Sequence, residues 1–186
     1  MSEDSILIVD DEPNVISALT RVFIDEPYRI HSANSASEAM EILKEHPIKV
    51  VISDEKMPEI SGSEFLSMVR EQFPHIIRVI LTGHASIEAA MKAINEGEIY
   101  RFFTKPWNDM DIRFAVRAAI DKYNLEEENR RLLEIVRQQA LNIKLLERQF
   151  PGISKLDRDK NGRIIVPDIS EDEMAQIVAK CEREFI

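Results

Sequence analysis

One cysteine, Cys181, stands in 186 residues, so no internal disulfide can form and a reducing compartment is expected. No run approaches the ~18–20 apolar residues that a membrane span needs. The opening Met1-Ser2-Glu3-Asp4 is acidic and runs directly into an apolar strand pattern, unlike a secretory leader. A cytoplasmic chain without a membrane contact is the expectation. Basic charge is scarce as well, and the net charge is −10. Up to Asn124 there are 13 basic and 21 acidic residues, a net of −8; from Leu125 onward there are 11 and 13, a net of −2. Neither part offers the basic footprint of a nucleic-acid module. Beyond Leu125 there is no histidine, no Gly-rich loop and no pattern of a phosphodiesterase, cyclase or ATPase.

What is present is a folded-protein composition, 44% hydrophobic and 31% charged. Uninterrupted apolar runs such as Ile6–Val9 and Val50–Ile52 read as strands buried on both faces of a parallel sheet. Strands are expected at Ser5–Asp10, Tyr28–Ala33, Lys49–Asp54, Arg78–Thr82 and Tyr100–Thr104. Amphipathic stretches alternate with them at Pro13–Phe23, Ser35–Glu45, Ser61–Gln72 and Ser86–Asn95. Pro13 suits a first helical turn, the Ser35 and Ser61 segments read as capping boxes, and Gly97 reads as a terminator. The alternation predicts a flavodoxin-like, doubly wound α/β fold with a five-stranded parallel sheet in the order 2-1-3-4-5.

A fifth helix is expected from about Asn108, capped there or at Asp109, with no Pro or Gly before Pro151-Gly152. That is about 40 residues, or roughly 60 Å of helix. Leu125, Leu132, Gln139 and Leu146 fall at heptad position d, and Asn129, Val136, Ile143 and Phe150 at a. This pattern predicts a dimeric coiled coil, with Asn129 fixing register, against the alternative of a helix folding back on its own domain. Three parts follow: residues 1–122, a helical linker over 123–150, and a small α+β tail over 151–186. In the tail, Asp159-Lys160-Asn161-Gly162 suggests a hairpin turn and Ser170-Glu171-Asp172-Glu173 opens a helix. Asp157 to Asp168 has the spacing of a calcium loop. However, Pro151-Gly152 removes the incoming helix, Pro167 interrupts the end, and Arg158, Lys160 and Arg163 bring positive charge, so the hairpin is the preferred reading.

Chemistry gathers at the strand ends. Asp10-Asp11, Asp54 and Lys105-Pro106 each follow an apolar run, and in open α/β sheets the ligand site lies beyond the carboxyl ends of the strands. Taken singly, an Asp pair is a solvated loop or a cap, and Lys-Pro is a turn. Together they place three carboxylates and an ammonium at one sheet edge. Crowded carboxylates repel, and a hard, oxygen-seeking cation such as Mg²⁺ complements them.

Asp10-Asp11, Asp54, Thr82 and Lys105-Pro106 resemble, in order and position, the receiver domain of two-component response regulators, over about residues 4 to 122. Leu81-Thr82-Gly83-His84 and Tyr100 to Trp107 are similar to a receiver subclass found with varied output modules. The resemblance implies that Asp54 accepts a phosphoryl group from a histidine kinase or histidine phosphotransfer protein. It implies Mg²⁺ at Asp10, Asp11 and Asp54, with the backbone carbonyl of Lys56 as a further ligand. Lys105 and Thr82 would contact the phosphoryl oxygens. Thr82 would then be drawn inward and Phe102 would rotate into the vacated space. Lys56 and His84 would border the path of the hydrolytic water, slowing self-dephosphorylation, an effect read as a shorter phosphoryl lifetime in Lys56→Asn. The expected output is protein association: homodimerisation through 123–150 and binding of a downstream protein, with Trp107 near the output face. The alternatives are a transcriptional regulator with a DNA-binding output and an adaptor acting in trans on a separate effector. Beyond self-phosphorylation and dephosphorylation, no enzyme activity is expected.

Overall fold

The computed structural model describes residues 4–83 and 99–150, together with the isolated positions 170 and 175. The elements run β1 (Asp4–Val9), α1 (Pro13–Val22), β2 (Tyr28–Ala33), α2 (Ala36–Glu45), β3 (Val50–Asp54), α3 (Gly62–Gln72), β4 (Ile77–Thr82), β5 (Arg101–Thr104) and α4 (Asp109–Gln149). All strand pairs are parallel and the sheet order is β2-β1-β3-β4-β5, the flavodoxin-like order expected from the alternation of patterns. The expected helix at Ser86–Asn95, Gly97, the residue His84, the hairpin and the Asp157–Asp168 loop lie outside the described residues.

Successive strand side chains point to opposite faces, so the apolar runs feed two cores. Leu7, Val9, Val51 and Ile80 join Met40, Leu43, Phe65 and Leu66 from α2 and α3 on one face. Ile6, Ile8, Ile52, Val79 and Leu81 join Leu19, Val22, Ile112 and Val116 from α1 and α4 on the other. β3 is buried along its whole length, as its unbroken apolar sequence requires.

The caps follow the sequence with one adjustment. Ser61 and Glu64 form a complete reciprocal box at the start of α3. Ser35 Oγ accepts from the Glu38 amide at 3.2 Å, but the Glu38 carboxylate reaches one residue further back and accepts from the Asn34 amide at 2.8 Å. Asn108 caps α4, accepting from the Met110 amide at 2.9 Å. Early in that helix, Arg113 donates to the Val22 carbonyl at 2.9 Å and Arg117 pairs with Glu26 at 3.0 Å, tying α4 to the end of α1. Lys49 bonds both Asp4 and Asn124 and lies over the Tyr123 ring. The buried face of α4 is confined to Ile112, Ala115, Val116, Ala119 and Ile120. The chain divides into two compact units, Met1–Arg131 and Leu132–Ile186. No helix among the described residues is long and apolar enough to cross a membrane.

His31 on β2 stacks on His46 with ring centroids 4.4 Å apart, and its buried Nε2 has no hydrogen-bond partner. Burial, followed by the positive charge of His46 and Arg29, holds its pKa below the ordinary histidine value. The unfolded chain therefore binds the proton more readily, so the contribution of His31 to stability is complete above about pH 6.5 and is lost as pH falls below that toward the lowered folded pKa. Urea unfolding of His31→Gln should show a flatter pH dependence below pH 6.5 than the wild type; parallel curves would remove His31 as the cause.

Candidate functional site

The register brings the expected residues to one edge. Val9 pairs with Ser53, Asp54 with Leu81 and Thr82 with Thr104, so Asp10, Asp54, Thr82 and Lys105 all lie at the carboxyl end of the sheet. Asp10 is fully buried, Asp54 is 5% exposed, and Asp11, one residue on, is exposed. Ligand oxygens of these three carboxylates lie within 4.8 Å of one another.

Asp10 and Asp54 are held in the same manner. The Glu12 amide donates to Asp10 Oδ1 and the Lys56 amide to Asp54 Oδ2, each at 2.9 Å and each from two residues downstream, the local turn that Asp favours. The second oxygen of each faces Lys105. Its Nζ lies 2.9 Å from Asp10 Oδ2 and 2.6 Å from Asp54 Oδ1. The peptide Lys105-Pro106 is cis, and the Lys105 amide donates to the Thr82 carbonyl at 2.8 Å, extending the ladder past β5.

Electrostatics at the site are unbalanced. Burial raises the Asp10 pKa above the ordinary carboxylate value despite the opposing bonds from Lys105 and the Glu12 amide, and the Asp54 charge adds to the rise. Burial pulls Lys105 down, but its bonds to Asp54 and Asp10 and their charges outweigh it and hold its pKa above the ordinary lysine value. One ammonium among three carboxylates leaves two negative charges, and all the available donors are oxygens. The set fits a divalent, oxygen-seeking cation.

Thr82 is completely buried, and its hydroxyl donates to the Gly83 carbonyl at 3.1 Å. Phe102 is half-buried against the core under α2 and α3. Lys56 is exposed beside Asp54, while His84 lies outside the described residues. Trp107 packs against the core under α1 and α4, with its indole donating to Asp109 at 3.1 Å. It is an anchor for the start of α4 more than a free aromatic platform.

Two contributors escape sequence reasoning. A Cβ on Gly62 would lie 2.0 Å from the Asp54 carbonyl oxygen, so only glycine lets α3 start against the end of β3. The other is Glu55, whose carboxylate accepts from Ser63 Oγ at 2.7 Å and from its amide at 3.1 Å. The signal for the first was a glycine inside a capping sequence, where any residue with good helix propensity would otherwise serve.

Residues 6–117, more than half of the chain, match the family described as response regulator receiver domain. The hydrogenase transcriptional regulatory protein HoxA of Cupriavidus necator is 36% identical over 128 residues, covering 69% of this chain and 26% of that protein. The transcriptional regulatory protein GlrR of Escherichia coli is 30% identical over 142 residues, covering 76% and 32%. The chain thus matches about a quarter to a third of the length of these relatives. Among solved structures, the signal receiver domain of an HD domain-containing protein from Pseudomonas fluorescens superposes with a TM-score of 0.65 at 34% identity, covering 69% of this chain and 94% of that one. A response regulator receiver domain protein from Clostridium thermocellum gives 0.62 at 31%, covering 66% and 98%.

Proposed function

The chain belongs to the response regulator receiver domain family, and from that premise we propose that Asp54 is the phosphoacceptor of a two-component relay whose output passes through the long helix α4. The observation that carries this reading is the convergence of Asp10, Asp11 and Asp54 within 4.8 Å, with Lys105 bonded to the first and third. A histidine kinase or histidine phosphotransfer protein is the donor. An Asp54 carboxylate oxygen bonds to phosphorus as the bond from phosphorus to the donor imidazole breaks, its electron pair remaining on nitrogen. Asp10, Asp11, Asp54 and the Lys56 carbonyl are the residues that would hold Mg²⁺, which when bound offsets the repulsion between carboxylate and phosphoryl group.

Lys105 then exchanges its bond to Asp54 for the phosphoryl oxygens, a point charge already at the acceptor atom. The Thr82 hydroxyl turns from Gly83 to the same oxygens. Phe102 follows into the space Thr82 leaves, coupling the local charge to the surface of β5 and α4. Lys56, exposed at the acceptor, lengthens the phosphoryl lifetime.

Downstream, the helix carries an exposed apolar stripe. Leu125, Leu132, Val136, Ile143, Leu146 and Phe150 are 39% to 65% exposed, at the a and d positions of the heptad. A second copy supplying the same stripe completes a two-stranded coiled coil. Light-scattering mass measured with Mg²⁺, with and without beryllofluoride as a phosphoryl mimic, tests this output, with Asp54→Ala as control. A mass change that requires Asp54 is the expected result. An unchanged dimer moves the switch to a protein-binding face, and an unchanged monomer rejects the coiled coil. The names of HoxA and GlrR favour a second reading, an output in transcription. A salt-sensitive gel shift would support it, although the net charge of −10 does not.

A further inference from the structure

Glu55 stands between the acceptor Asp54 and Lys56, and all of its polar groups are engaged. Its amide donates to the Leu81 carbonyl on β4 at 2.8 Å, and its carbonyl accepts from the Gly62 amide at 2.9 Å. Its carboxylate takes both the Ser63 amide and hydroxyl, at 3.1 and 2.7 Å. Ser63 is in the first turn of α3, where free amides and the helix dipole favour an anion. Gly62 closes the same junction, its Cα packed against the Asp54 carbonyl. One residue therefore joins β3, β4 and α3 at the point where the acceptor loop begins.

We propose that Glu55 is a positioning residue for the cation and acceptor site: by clamping the start of α3 it sets where the Lys56 peptide lies. The Lys56 amide donates to Asp54 Oδ2 at 2.9 Å and, on the reading above, the carbonyl of the same residue would be offered to Mg²⁺. The inference rests on that reading for the carbonyl. Glu55 itself touches neither metal nor phosphoryl group. Removing its carboxylate frees one wall of the site, and outer groups that orient metal ligands typically change affinity by about 10-fold or more.

Isothermal titration with Mg²⁺, alongside amide hydrogen exchange of the metal-free protein, tests this. Glu55→Ala should bind Mg²⁺ about 10-fold more weakly and exchange the Lys56 amide faster before any metal is added. Glu55→Gln, which keeps an oxygen acceptor for Ser63, should restore most of both. Ser63→Ala, which removes only the hydroxyl bond, should fall between them and guards against a Glu55→Ala chain that fails to fold. Ser61→Ala removes a cap from the same helix without touching Glu55; it should lower Tm yet keep wild-type affinity. Equal loss of affinity in Ser61→Ala, or unchanged affinity and exchange in Glu55→Ala, overturns the inference. A wild type that binds no Mg²⁺ overturns the reading of the cation site along with it.

Discussion

Asp54→Asn is expected to abolish phosphoryl uptake while leaving the folded chain at least as stable as the wild type. The first half follows from chemistry. The amide keeps the shape of the side chain and can still accept from the Lys56 amide, but it offers no anionic oxygen to phosphorus. The second half follows from charge. Asp10 is fully buried, and its pKa is raised by burial and then further by the negative charge of Asp54. Neutralising Asp54 removes that repulsion. Lys105 keeps its 2.9 Å bond to Asp10, so the ammonium is not left buried without an anion. Loss of activity with stability retained or gained is the pattern of a site whose charges are crowded for function. Intact-mass analysis after incubation with acetyl phosphate and Mg²⁺, paired with a melting curve, reads both halves. A phosphoryl adduct on the variant at the wild-type level would place the acceptor elsewhere. A large fall in Tm would show that the Lys105–Asp54 pair at 2.6 Å serves mainly to hold the fold.

Gly62→Ala carries the second large effect, and two opposing contributions decide its sign. Alanine is better than glycine in a helix by up to about 1 kcal/mol. Against this, the new Cβ would sit 2.0 Å from the Asp54 carbonyl oxygen and 2.8 Å from its carbon. Both are backbone atoms of a buried central strand, so neither can swing aside as a flexible side chain would. Overpacking of this kind typically costs about 1–3 kcal/mol, and a contact this short lies toward the upper end. The clash wins, and Tm should fall by roughly 4 °C for each kcal/mol of net loss. Relief can come only by moving α3 or the end of β3, so Mg²⁺ affinity should fall as well. Differential scanning calorimetry with Mg²⁺ titration on the same variant tests both. A stabilised Gly62→Ala would mean that the chain slides freely at this junction.

The parts legible in the sequence are those written in local periodicity. Unbroken apolar runs marked β1 and β3 because a parallel strand covered on both faces has no polar side to show. The Ser61–Glu64 box and Pro13 marked helix starts because capping depends on residues three apart. Strand order followed from alternation of the two patterns and the short connections between them. The positions of Asp10, Asp54, Thr82 and Lys105 were legible for the same reason, since each ends a strand.

What the tertiary structure alone decided concerns how those ends face one another across strands. Asp10 is buried and Asp11 exposed, yet both bring a carboxylate oxygen within 4.8 Å of Asp54, where the chain runs out past the end of β1. Lys105 bridges Asp10 and Asp54, residues 95 and 51 positions away, because β1, β3 and β5 end at the same edge of the sheet. The need for glycine at position 62 and the three-way bonding of Glu55 arise from the approach of α3 to the end of β3. Local sequence encodes which residues turn, cap or alternate, through interactions spanning a few positions. Distances of a few ångströms between separate strand ends depend on the packing of the whole sheet, and those distances set the charge balance of the site.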